Sequence, residues 1–160
     1  MSVQDAVRRA LLTVPNPVAA LTVTHERQRN GMIVSWLTPV SVAPPMIAVS
    51  IHRERFSHRL IEGAGRFNLT LLREDQKDRV PQFKLKDENR EAKFAGLPVA
   101  TDAYGQPYLT DGVAVLHCLV TDSLATGDHT LFIAEVQDAA VGEGAALCTK
   151  SLGKTYSGKK

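Results

Sequence analysis

Residues 18–51 read VAALTVTHERQRNGMIVSWLTPVSVAPPMIAVSI, and the fold is decided there. Three runs, VAALTVT (18–24), MIVSWL (32–37) and MIAVSI (46–51), are dense in β-branched and apolar residues, the texture of strands. Asn30-Gly31 predicts a short turn inside this stretch. Ala43-Pro44-Pro45 predicts an extended break, because proline cannot donate to a ladder.

Working outward, further strands are expected at RFNLTLL (66–72), at 112–122 and at 129–141, with a weaker one near 145–152. In 129–141, Leu131, Ile133 and Glu135 alternate with Phe132, Ala134 and Val136, so both faces carry apolar residues. Helices are few. Ser2 and Asp5 have capping-box spacing ahead of Val3, Val7, Ala10 and Leu11, and Pro15 and Pro17 end that helix. SHRLIEG (57–63) predicts one or two turns, with Ser57 as the cap. Residues 73–98 are charged and poor in β-branched residues; they read as a surface excursion of helix and loop limited by Pro81. Six or seven strands with short helices predict a mainly β chain closed as an antiparallel barrel, since the βα alternation of a parallel sheet is missing.

The 160 residues are expected to form one domain, 1–160, with no repeat or linker, and such a chain buries roughly two-thirds of its unfolded surface. Hydrophobic residues at 44% and charged residues at 22% are ordinary globular usage. A net charge of +2, with basic residues scattered apart from the tail Lys150, Lys154, Lys159 and Lys160, gives no nucleic-acid stripe. The tail reads as a solvated end. No apolar run is long enough for a membrane span or a leader, so cytoplasm is the expected location. Cys118 and Cys148 read as small buried residues, and the five histidines show no metal-ligand spacing. GxGxxG, GxxxxGK[ST], GxSxG and HExxH motifs are all missing.

Three stretches carry chemistry. In NGMIVSW (30–36), Trp36 flanked by Ser35 and Thr38 is either core packing or a flat surface for a planar ligand. In RERFSHR (53–59), Arg53, Arg55, His58 and Arg59 surround Ser57 at a helix start, which is either a charged loop or an anion site. In TGDHT (126–130), Asp128 and His129 form either a surface turn or part of a site at the mouth of an apolar strand.

Taken in order, these stretches resemble the flavin reductase-like FMN-binding domain, and its flavoredoxin-like branch in particular. The pattern runs N-x-M-x-V-S-W with the paired prolines and MIAVSI, then R-x-x-F-S-H-x-L-I with G-x-F-N-L-x-L-L, then AKFAGL, then L-x-C-x-V with T-G-D-H-x-L-F-I-A-E-V. It covers residues 14–156. The resemblance implies a Greek-key split barrel of six strands, homodimeric, with FMN at the subunit interface and NADH or NADPH as electron donor. It places Asn30, Met32, Ile33, Val34, Ser35 and Trp36 along the flavin, with Val42 and Ala43 offering backbone to the ring. Ser57, Arg53 and Lys93 would hold the phosphate, and Ser50 and His58 fall among the cofactor contacts. His129 would lie beside the reactive face as the catalytic group. Ile33 departs from the threonine frequent after N-x-M, which removes a hydroxyl.

The activity so implied is a nicotinamide-dependent flavin reductase passing electrons to free flavin, a partner monooxygenase or another acceptor. The alternative is a flavoredoxin-like FMN electron carrier with no nicotinamide-dependent activity of its own. Either way the isoalloxazine carries the chemistry while the protein supplies position and electrostatics.

Overall fold

In the computed structural model, residues 1–152 are described; Lys154, Lys159 and Lys160 of the basic tail lie outside them. Helix α1 (Val3–Leu11) leads into strands β1 (Ala19–His25), β2 (Gln28–Val34), β3 (Leu37–Val42) and β4 (Pro45–His52). Helix α2 (Phe56–Ala64) and β5 (Arg66–Leu71) follow. A short helix α3 (Arg79–Phe83) and a kinked 3-10 segment (Asp87–Phe94) come next, then a ribbon of β6 (Val99–Thr101) and β7 (Pro107–Leu109). Long strands β8 (Ala114–Ala125) and β9 (His129–Val141) complete the sheet, and a 3-10 turn (Thr149–Leu152) stands where a weak strand is expected.

Seven strands form one antiparallel sheet in the order β2-β1-β5-β8-β9-β4-β3, one strand more than the six-stranded barrel that the resemblance implies. The extra strand is β3. It is absent from the sequence reading because LTPVSV carries an internal proline, and β3 accommodates it with a register shift between Pro39 and Ser41 at the sheet edge. The outermost strands, β2 and β3, are neighbours in the chain and are joined only by Ser35 and Trp36. The three Cα–Cα steps from Val34 to Leu37 span at most about 11 Å, so the sheet must curl until its edges meet. Ser50 N donates to Trp36 O at 2.9 Å, which continues the β3–β4 ladder onto this link. The barrel expected from the sequence is closed by that constraint.

The first turn lies elsewhere than expected. Glu26 and Arg27 both have positive φ and link β1 to β2, while Asn30 and Gly31 sit within β2. Gly31 is required there by packing: a Cβ on it would stand 2.5 Å from Phe83 Cε1.

Burial explains why VAALTVT carries apolar residues on both faces. Ala19, Leu21 and Val23 face the barrel interior with Met32, Val34, Val49, Phe67, Leu69 and Phe132, and Leu60 and Ile61 of α2 add to that core. The opposite face, Val18 and Ala20, packs with Ile33, Val80, Phe83, Phe94 and Leu109. Segment 73–98 is therefore a cover and not the surface excursion expected from its charge. Its sparse apolar residues, Val80, Phe83 and Phe94, seal the outside of β1 and β2. Arg79 fixes the cover through a two-pronged ion pair with Asp111 at 2.6 and 2.5 Å. At the N-terminus, Ser2 Oγ accepts from the Asp5 amide at 3.1 Å and donates to the Asp5 carboxylate at 2.7 Å, so the expected capping pair is present.

Overpacking against Phe83 gives a test of this arrangement. Gly31→Ala is expected to destabilise the fold by roughly 1–3 kcal/mol, read as a lower urea midpoint with unchanged slope.

Candidate functional site

At the start of the edge strand, Asn30, Ser57 and Lys93 meet, three residues scattered over 63 positions of sequence. Asn30 Nδ2 donates to Ser57 Oγ at 3.0 Å, and Lys93 Nζ donates to Asn30 Oδ1 at 3.0 Å. The ammonium also donates to Gly31 O at 2.9 Å and to Asp87 Oδ1 at 2.9 Å, so its three N–H groups have three acceptors. Lys93 is 2% exposed, and a cation this buried persists only when so paired. Asp87 also accepts from Asn30 Nδ2 at 3.2 Å. Burial works against its charge, but the hydrogen bond and charge of Lys93, helped by Asn30, hold its carboxyl below the ordinary carboxylate value. The expected Ser57 helix cap is not formed: Arg55 occupies the N-cap position without a side-chain cap, Ser57 falls inside the first turn, and its hydroxyl accepts from Asn30.

At the other end of β2 lies the seam. Ser35 is fully buried, and among the described residues its hydroxyl has no hydrogen-bond partner. A buried hydroxyl without a partner is costly. Trp36 beside it is 37% exposed, so it is not core packing, and its ring tilts 34° over His129 with centroids 4.9 Å apart. His129 pairs in register with His52, their rings 5.2 Å apart edge to face. Asp128 lies between them: its carboxylate is 2.6 Å from His129 Nδ1 and 3.6 Å from His52 Nε2. The hydrogen bond with His129 lowers the Asp128 pKa. Asp128 and His129 are thus a built element and not a plain surface turn.

Arg53 has a different employment from the phosphate anchor that the resemblance implies. Its guanidinium donates to the carbonyls of Thr126 at 2.8 Å, His129 at 3.1 Å and Gly127, and its amide donates to Asp128 O at 3.1 Å. A fork that fits three carbonyls of one turn clamps that turn. His58 is likewise turned inward: Nε2 is 2.8 Å from Thr130 Oγ1, and burial lowers its pKa against the opposing charge of Glu62. Met32 and Val34 point their side chains into the barrel core and Ile33 into the outer core, which leaves backbone as their means of touching a ligand. Ser50 is half-buried and is tied to the seam through its amide. Val42 and Ala43 lie at the far end of β3 from Trp36, with Val42 exposed. Cys118 is buried, its thiol pushed up to about 12, whereas Cys148 is only partly buried. Asp87 and His52 belong to the site but carry no motif in the sequence.

Two separated features therefore share one edge strand: a hydrogen-bonded polar cluster at Asn30 and an aromatic seam at Trp36. Five strand steps between Asn30 and Ser35 span roughly 17 Å, the layout of a site for an elongated ligand with a polar end and a planar end. Residues 11–151 match the family model described as a flavin reductase like domain. The chain belongs to that family. It is 34% identical over 142 residues to actinorhodin polyketide dimerase of Streptomyces coelicolor, covering 88% of this chain and 78% of that protein. With the NADH-dependent flavin reductase StyB of Pseudomonas fluorescens it shares 35% identity over 130 residues, 81% of this chain and 74% of StyB. The styrene monooxygenase flavin reductase of Pseudomonas putida S12 superposes with a TM-score of 0.78 at 30% identity, covering 88% and 90% of the two chains. No helix of the described residues is long and apolar enough to cross a membrane.

The depressed Asp87 pKa fixes a pH dependence. Because the folded value lies below the ordinary 3.8, the ion pair contributes its full stability above pH 3.8, and that contribution falls as the pH drops further through the folded value. Acid unfolding of Asp87→Asn, followed by circular dichroism, is expected to depend less steeply on pH below about 4 than wild type.

Proposed function

We propose that this protein is a nicotinamide-dependent flavin reductase that binds FMN along β2 and passes electrons from NADH or NADPH to an acceptor. The observation that carries this reading is the edge strand with the Asn30–Ser57–Lys93 cluster at one end and the unpartnered Ser35 hydroxyl beside Trp36 at the other. Membership of the flavin reductase-like family and likeness to an NADH-dependent flavin reductase support it.

The residues fit a flavin. The Ser57 hydroxyl, the Asn30 amide and the Lys93 ammonium supply charge-assisted and neutral donors for a phosphate. The backbone of β2 at Met32 and Val34, on the outermost strand of the sheet, can meet the ring system, and the Ser35 hydroxyl gains there the partner it lacks. Trp36 offers a stacking surface. Flavin supplies hydride acceptance and onward electron transfer when bound. Asp128 takes His129 Nδ1, which leaves Nε2 as the nitrogen for the nicotinamide or for charge near the reduced ring. Arg53 keeps the turn that carries this pair in place.

A homodimer with the flavin between subunits fits the exposed apolar residues Trp36 at the seam, Val40 and Val42 further along β3, and Val3, Val7 and Leu11 on α1. Light scattering is expected to show a dimer at micromolar concentration with FMN bound, and a flavin-saturated monomer refutes that assembly.

Anaerobic stopped-flow mixing of the FMN-loaded protein with NADH or NADPH tests the activity. Rapid bleaching of the flavin is expected; a flavin that stays oxidised assigns the protein instead to the electron carriers. His129→Ala is expected to slow single-turnover reduction about tenfold to a hundredfold, roughly 1.4–2.7 kcal/mol, while FMN affinity stays the same. Equal rates remove His129 from the chemistry.

A further inference from the structure

Lys93 presents a conflict on the reading just proposed, and this inference rests on that reading. All three of its N–H groups already have acceptors, so the ammonium reaches a flavin phosphate only by releasing one of them. The three acceptors are not equivalent. Asn30 is buried, and Gly31 O belongs to a strand held in the sheet, so neither moves without disturbing β2. Asp87 begins the 3-10 segment, its side chain is 37% exposed, and the segment is kinked two residues later at Asn89. Its carboxylate can swing to water, where a charge is well solvated.

Asp87 also occupies the place of an anion. Oδ1 accepts from both Lys93 Nζ at 2.9 Å and Asn30 Nδ2 at 3.2 Å, two of the three groups assigned to the phosphate. We infer that Asp87 is an internal competitor for the flavin phosphate: its carboxylate holds the Asn30–Lys93 donors when flavin is away, yields them on binding, and returns to them as flavin leaves.

The competition has a functional consequence. The buried ammonium is never left without a counter-charge, which removes the large cost of an unpaired buried cation from the empty site. Binding then replaces one anionic acceptor by another, so the net gain is small and the flavin exchanges readily. Such a site suits a reductase that takes up oxidised FMN and releases the reduced form, and it disfavours a permanent carrier.

The test compares FMN with riboflavin, which has the same ring and no phosphate, by fluorescence titration of wild type, Asp87→Asn and Asp87→Ser. Asparagine keeps the shape but offers only a neutral acceptor, about half as strong toward an ammonium as a charged one. Both variants are expected to bind FMN about fivefold to tenfold more tightly than wild type and riboflavin equally well. Unchanged or weaker FMN binding in folded variants, with wild type still preferring FMN to riboflavin, overturns the competition and makes Asp87 a support for Lys93. Wild type and both folded variants that alike fail to distinguish FMN from riboflavin overturn the phosphate reading of Asn30, Ser57 and Lys93 itself. If neither substitution folds, release of FMN from the wild-type protein decides: dissociation in seconds or less agrees with an exchangeable flavin, and retention through gel filtration contradicts it.

Discussion

The two-residue link between β2 and β3 governs this molecule. These strands stand at opposite edges of a seven-stranded order, yet only Ser35 and Trp36 join them. Peptide geometry allows no open sheet under that constraint, so the sheet curls into a barrel whose seam lies at the link. Ser35 is buried by the closure and loses any neighbour for its hydroxyl, while Trp36 is left half out of the core above His129. Closure of the fold thus also sets the Trp36 ring against His129.

A second constraint is the buried charge of Lys93. An ammonium so far from water must be met by acceptors, and the three it finds come from β2 and from the 3-10 segment. The cation thereby ties the outer cover to the edge strand at the point where Asn30 reaches α2 through Ser57. Phe83 and Phe94, packed edge to face with ring centroids 5.9 Å apart, close the same region with apolar contact. Gly31 sits beneath them because only a residue without a side chain fits there. Polar and apolar parts of the cover thus depend on the same two positions of β2.

The turn at 126–129 shows how a charged cluster in sequence can mislead. Four basic residues around Ser57 suggest one anion site, but the structure divides their work. Arg53 clamps the carbonyls that hold Asp128 and His129, and His58 joins α2 to β9 through Thr130. Ser57 joins Asn30, and Arg55 lies close enough to Asp87 to help lower its pKa. The division follows from topology: β4 and β9 are adjacent, so a residue just after β4 meets the turn before β9. No spacing along the chain reveals that adjacency.

The sequence by itself determined the strand texture from residue 18 onward, the closed antiparallel class and the two main helices, and its motif order supplied the family resemblance through which Asn30, Ser35, Trp36, Arg53, Ser57, Lys93 and His129 were singled out. These are local quantities, set by β-branched runs, prolines and motif order, and local backbone preference follows them. It left β3 unseen because a proline masks an edge strand, and it placed the first turn at Asn30-Gly31 because the rule for turns does not know that a glycine can be demanded by packing. Tertiary structure alone decided that the charged segment 73–98 is a cover, that Arg53 bonds the carbonyls of the 126–129 turn, and that Asp87 meets Lys93 and His52 meets His129. Each of those depends on contact between residues far apart in sequence, where burial strips water from a few groups and leaves them only one another as partners.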